Sequence, residues 1–407
     1  MSRLAVAALL ACGVPFAALR AQAVQIGAQG IIVATRVDPV PGGGSLTEFR
    51  VVQPVLVLRV RTLDYHLAFQ ATANLEGWTM PAGELSPGGW GEGFSDRRHP
   101  HTFAHELMLS VVDPAGARTG AVHTSLSVGK GFAPFGTDDP MHRPTLRYPV
   151  NHHWSQVLER AVAILGVRAG PVAAEAGIFN GDEPERPGQW PRIAGRFGDS
   201  WAVRAHVTPV RGVTLQGSRA KVRSPEHRPG AGSSQYKWNA SVEVARQLGE
   251  GRLSLLAEWA RNSELDGFFV FHSLLLDGEW RYGDNRPYLR LERTERPEEM
   301  RTLDPFRSVR PHLENSILGT TRFTLLTAGY GWRLGQGGGL EPFAEVTYGT
   351  ARSVGGGVFD PKTFYGRNDL WSASVGLRMR TGRALHLMGR YGVLAQDDSR
   401  ASMDHRH

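Results

Sequence analysis

YHLAFQATANLE, residues 65–76, sorts its side chains by parity: Tyr65, Leu67, Phe69, Ala71, Ala73 and Leu75 are apolar, whereas His66, Gln70, Thr72, Asn74 and Glu76 are polar. A period of two belongs to a β-strand with one face against an apolar medium and the other against water. The pattern returns in YKWNASVEVAR, where Trp238, Ala240, Val242 and Val244 oppose Lys237, Asn239, Ser241 and Glu243, and in WSASVGLRMR, where Trp371, Ala373, Val375, Leu377 and Met379 oppose Ser372, Ser374, Arg378 and Arg380. Further copies lie at Ala121 to Gly129, Trp201 to Thr208, Val213 to Ser218 and Leu340 to Tyr348.

Connections between these segments alternate in length. Short turns rich in Gly, Pro and Asp (RAGP, TPVRG, LGEG, YGDNR, GQGGG) alternate with long polar stretches such as Met80 to Pro100, Phe132 to His153, Asn180 to Asp199 and Thr294 to Gly319. Short turns at one end and long loops at the other describe a transmembrane antiparallel up-and-down β-barrel. Tyr65, Trp201, Trp238, Trp259, Tyr348 and Trp371, near strand ends, suit interfacial girdles. A soluble β-sandwich also alternates with period two, but these strands are long and many, and charge crowds one parity throughout. The expected fold is all-β, a barrel of about 16 strands over residues 24–380, with the last candidate segment, Ala384 to Leu394, assigned to a tail over 381–407 because an even count returns both ends to the periplasm.

Residues 1–23 read as a signal peptide: Arg3, an apolar run, then Ala21 and Ala23 in the A-x-A spacing. A lipoprotein signal ending at Cys12 is the competing reading. Cys12 is the single cysteine, so the processed chain has no disulfide and no thiolate metal cage. Net charge is +7 across 407 residues, spread without the basic, aromatic-interleaved runs of nucleic-acid binders, and nucleic acid is set aside as a partner. Outer-membrane lipid and small hydrophilic solutes are the expected partners. Homo-oligomers are common among such pores, and an apolar interface and a lipid-facing surface look alike in sequence.

DRRHPHTFAHE, Asp96 to Glu106, concentrates histidines and acids. HEXXH is not completed, since Leu107, Met108 and Leu109 follow His105-Glu106. His99 and His101 are candidates to hold a divalent ion with His142, His152 or His153 from the next long loop, as a metal site on the outer loops. Extended from Thr102, the chain would put Glu106 in the lumen and His105 among lipid-facing neighbours. Ser155 near His152 and His153 is the one hydrolase-like juxtaposition, and it has no third partner at a recognisable spacing; no enzymatic activity is expected.

DRRHPH with Glu106, MHRP (Met141 to Pro144), FNGDEPER (Phe179 to Arg186), RPYLRLE (Arg286 to Glu292) and MGRYG (Met388 to Gly392) resemble uncharacterised porin-like outer-membrane β-barrel proteins of Gram-negative bacteria, from about Gly91 to Gly392. The resemblance implies the barrel and the bacterial outer membrane, without substrate or catalytic residue. The end of the chain, DSRASMDHRH, departs from a terminal aromatic.

With the polar parity inward, the pore lining comprises His66, Gln70, Asn74, Glu106, His123, Arg204, His206, Lys237, Glu243, Glu258, Arg290, Glu292, Glu345, Arg378 and Arg380. Both signs are present with a slight basic excess, which leads to a passive diffusion channel with weak anion preference and no cofactor. The alternative is a plugged barrel binding metal ions through the histidine-bearing outer loops and the tail.

Overall fold

The computed structural model describes residues 23–40, 42–63, 66–80, 101–114, 122–137, 140–182, 184, 187–191, 193, 196–223, 234–299, 317–335, 339–382, 386 and 388–396. Residues 1–22, the bulk of the expected signal peptide, lie outside them, as do Tyr65, His99 and the last eleven residues.

Sixteen antiparallel strands, each paired to its sequence neighbours, close into one barrel. They are β1 (Ala23–Asp38), β2 (Leu46–Thr62), β3 (Leu67–Asn74), β4 (Ala104–Val112), β5 (Val122–Gly131), β6 (Arg160–Ala169), β7 (Val172–Phe179) and β8 (Ser200–Val210), followed by β9 (Val213–Arg223), β10 (Ser234–Leu248), β11 (Gly251–Glu264), β12 (Phe269–Arg281), β13 (Asn285–Glu299), β14 (Ile317–Trp332), β15 (Leu340–Val354) and β16 (Asp369–Gly382). The ring shuts through β1 and β16, from Gly27 opposite Gly382 to Asp38 opposite Trp371. β13 runs on to Glu299, beyond Thr294 where composition alone starts a loop, because its upper half stays laddered to β14.

Each strand keeps its parity. In β15, Glu341, Phe343, Glu345 and Thr347 are buried while Ala344, Val346 and Tyr348 are exposed. Leu165, Leu274, Val346 and Val375, all more than half exposed, form part of an apolar outer band, with aromatics such as Trp280, Trp332 and Tyr348 towards its edges. An apolar exterior around a polar interior requires lipid outside, and closure leaves no unpaired edge there. The protein is an outer-membrane barrel, with the short turns, the start of β1 and the end of β16 at the periplasmic side.

Two features depart from the simple pleat. Thr72 pairs with Glu106 and Ala73 with Ala104, so His105 is an extra residue in β4. Such a β-bulge lets consecutive residues point the same way. His105 is therefore fully buried beside Glu106, a correction to the lipid-side position that strict alternation assigns it. The second departure is that loop and tail segments pack inside the lumen. Met141, Leu146 and Tyr148 from the β5–β6 connection and Met388 from the tail pack against Ile31, Val33, Val55 and Val57 of the inner wall. Tyr391 joins Met108, Phe132 and Phe135 in another buried cluster.

Candidate functional site

The inward-folded connection between β5 and β6, residues 132–159, dominates the interior. Its backbone is spent on the wall's side chains. At one side Gly136 N donates to Ser218 Oγ (2.9 Å) and its carbonyl accepts from Arg204 (3.3 Å) and Gln216 (2.5 Å). Further along, Thr137 Oγ1 and Asn151 Nδ2 both donate to Glu258, at 2.5 and 2.6 Å. Leu146 N donates to Glu345 (2.7 Å), Val150 N to Glu292 (2.7 Å), and Arg147 pairs with Glu292. From the same wall Arg378 donates to Pro144 O (2.9 Å), Arg290 to Arg147 O (2.7 Å), and Arg380 to Met141 O (3.3 Å). Lys237 reaches His153 O at 2.9 Å. Polar groups taken out of water need such partners, so the wall's charges fix the path of the loop.

The tail enters from the other mouth. Gly389 N and Tyr391 Oη donate to Glu106 Oε1 at 2.8 and 2.5 Å, while Thr72 Oγ1 donates to Oε2 at 2.5 Å. Phe132 N donates to Tyr391 Oη (3.0 Å), Val393 N to Ser125 Oγ (3.1 Å), and Arg59 to Ala395 O (2.8 Å). The tail is thus a fitted part of the interior through residue 396; residues 397–407 lie outside the described residues.

All the residues assigned to the pore lining sit on the inward parity, but most are engaged. Gln70 contacts Glu106 at 3.4 Å, Asn74 contacts Glu76 and His101, and Arg204 pairs with Glu175 at 2.6 Å. Arg290 pairs with Asp277 (2.7 Å) and Arg378 with Glu341 (2.6 Å), alongside Arg286 with Glu279 (2.7 Å). His66 and His123 lie near the periplasmic end, on Val112 O and Asp113. Asp113, in that turn, is held below the usual carboxylate range: burial works the other way, and the bonds from His123 and Thr124 N outweigh it. Between tail and wall remains a cavity of about 200 Å³ bordered by Arg168, Arg204, His206, Glu243 and Arg390.

Of the candidate metal histidines, His101, His152 and His153 gather inside the lumen together with His105, instead of on an outer loop, while His99 lies outside the described residues. His101 Nδ1 lies 2.9 Å from Glu76 Oε2, and His105 Nδ1 lies 2.6 Å from Glu159 Oε1. Ring centroids step from His105 to His101 (5.1 Å), His101 to His152 (6.0 Å) and His152 to His153 (5.0 Å). Among the described residues no group of three or more His, Cys, Asp or Glu is arranged to hold a metal ion. Ser155 Oγ donates to the carbonyls of Asn151 and His152, at 3.2 and 3.4 Å, capping its own helical turn.

Glu159 escapes a reading by periodicity, yet it ties the histidine stretch to the loop: its Oε1 accepts from Thr102 N (2.7 Å) and Thr102 Oγ1 (3.2 Å) as well as meeting His105. It does so at φ 61°, a strained backbone for a residue with a side chain. Although burial pushes Glu159 upward, the bond from His105 and the positive charges of His105, Lys130 and His101 bring its carboxyl down to about 2. The signal for the inward loop was its composition: Met141, Leu146, Tyr148, Val150 and Trp154 are too apolar for a segment standing in water.

No family model and no curated protein matches the chain. Among solved structures, an anion-selective porin from Comamonas acidovorans superposes with a TM-score of 0.53 at 11% identity, over 88% of this chain and 99% of that one. OmpT, an outer membrane protein of Vibrio cholerae solved in its trimer form, gives 0.51 at 10% identity, over 89% of this chain and 100% of that one. At such identities the likeness speaks for the fold: this chain has the 16-strand channel-like barrel of outer-membrane porins.

Proposed function

We propose that the protein is a constricted porin-like channel for passive diffusion of small hydrophilic solutes or ions, with weak anion preference. The observation that carries this reading is the cavity beside the tail, where Arg168, Arg204, Arg390 and His206 face Glu243 across about 200 Å³. Basic side chains outnumber the acid around that cavity, which lowers the barrier for anions more than for cations. The charged ladder of β12 to β16 maintains the loop and the field around the path, and no enzymatic step is part of the reading. The test is single-channel conductance of the refolded protein in a planar bilayer, with reversal potentials under a salt gradient. Steady openings with an anion-shifted reversal potential support it; a folded, silent barrel refutes it.

The second reading is a plugged barrel, favoured by the packing of Met388 and Tyr391 into the two lumenal apolar clusters. Binding of divalent metal through the histidine stretch belongs to this reading. A melting temperature raised by zinc or nickel and returned to the metal-free value in His101→Ala with His152→Ala supports it, and no metal-dependent shift removes it.

A further inference from the structure

Charge is unevenly spread over the outward face of the described residues. On β4 to β8 the outward positions are apolar or small, Leu107, Leu126, Leu165, Ala176 and Val203 among them. On β9 to β15 the picture changes in the half of the strands nearest the long loops. Arg219 stands opposite Trp238, and Trp238 opposite Arg261. Arg261 stands opposite His272, whose backbone N–H donates to Glu295 Oε2 at 3.1 Å. The row continues with Glu295 opposite Arg322 and Arg322 opposite Arg352. One outward position below, Arg293 lies between Leu274 and Thr324. These two rows hold a single acid, Glu295, and it pairs with Arg322 at 2.5 Å.

Aromatic rings hold the first two guanidinium groups. Arg219 lies 5.8 Å from the Trp201 ring and 5.5 Å from the Trp238 ring, and Arg261 lies 4.6 Å from the Trp238 ring. Stacking uses the flat face of a guanidinium and leaves its N–H edge directed outward, the geometry that grips phosphate oxygens in pairs. Tryptophan prefers the interface between acyl chains and headgroups, which sets the depth of these arginines. Immediately below, Val242, Leu274, Leu276, Leu291, Leu326 and Val346 continue the surface as apolar band. A molecule satisfying both parts has acyl chains along the band and phosphate at its head.

We propose that the β9–β15 face is a binding site for the phosphate groups of a phosphorylated glycolipid in the outer leaflet. The lipid is the occupant because the basic rows and the acyl-facing band form one continuous surface, and because arginines facing away from the lumen have no part in solute passage.

The test uses the full chain refolded in a maltoside detergent, with lipid retention measured by native mass spectrometry. The probes are bis-phosphorylated lipid A, its mono-phosphorylated form and phosphatidylcholine. Bis-phosphorylated lipid A is expected to be retained most strongly, and the variant Arg219→Gln, Arg261→Gln, Arg293→Gln, Arg352→Gln is expected to retain it about tenfold less. Equal retention by variant and native chain, or of all three lipids, overturns the proposal, as does full competition by inorganic phosphate at the lipid's concentration. If the variant does not fold, the native chain still decides: retention must fall when salt rises from about 0.05 M to about 0.5 M, and salt-insensitive binding overturns it.

Discussion

Tyr391, near the end of the chain, donates its hydroxyl to Glu106 of β4 at 2.5 Å, and in doing so closes a contact across 285 residues of sequence. Glu106 also accepts from Thr72 on the neighbouring strand and from Gly389 N in the tail, so one buried carboxylate joins the wall to the tail.

Tyr391→Phe deletes that bond, and with it the acceptor for Phe132 N, without changing shape. The expected cost is about 2 kcal/mol in seating the tail, because a bond to a carboxylate is lost in a buried site. Single-channel recordings should show larger or more frequent openings, and protease should cut the tail faster. Recordings identical to those of the native chain would show that the tail does not restrict the path.

Glu292 and Glu258 each take two partners from the inward loop. Removing Glu292 as Glu292→Ala leaves Arg147 buried without its carboxylate, a change of about 3 kcal/mol or more against the seated loop. Flickering current with a raised mean conductance is expected. A quiet trace of native amplitude would mean that the loop keeps its path through its other bonds.

The loop also depends on close approach. Gly136 has φ +68°, and a Cβ there would meet the carbonyl of Ser155. Gly136→Ala therefore combines backbone strain with a clash, and a lower melting temperature with increased current noise is expected. Gly170, at φ +54° in a turn with open space around it, should bear alanine with far less effect.

Acid should loosen the same segment through Glu159. Its carboxyl is lowered from the ordinary 4.5 to about 2, so the folded chain gains stability above the ordinary value and loses it as pH falls through the region down to about 2. Tryptophan fluorescence followed from pH 5 to pH 2 should report a transition that is flattened in Glu159→Gln; an unchanged profile in that variant would assign the acid sensitivity elsewhere.

Reversing charge at the cavity, Arg168→Glu with Arg390→Glu, should move the reversal potential toward cations. No movement would exclude this cavity from the conduction path.

Much of this architecture could be read from side-chain parity. Strands such as Leu67–Asn74 and Leu340–Val354 separate lipid from lumen at every step, so the sign of each position, and hence the inward set from Gln70 to Arg378, follows from spacing alone. Parity is blind where the pleat is interrupted: His105 violates it because one extra residue sits opposite the Thr72–Ala73 step. It is equally blind to where a loop goes, since the alternation ends at Gly131 and the path of residues 132–159 is set by distant carboxylates on β11, β13 and β15. The tail posed the same problem. MGRYGVLA resembles a seventeenth strand in composition, but an even barrel has no opening for it, and Met388, Tyr391 and Val393 find their apolar surroundings inside.

The two obstructions hang from opposite mouths. The loop after β5 starts from the outer rim and the tail after β16 from the periplasmic rim, and they meet where Phe132 N donates to Tyr391 Oη. The interior is therefore obstructed from both mouths, by the loop on the outer side and by the tail on the periplasmic side, and releasing either alone leaves the second in place. The conductance of the combined Tyr391→Phe and Glu292→Ala chain should accordingly exceed the sum of the two single increments.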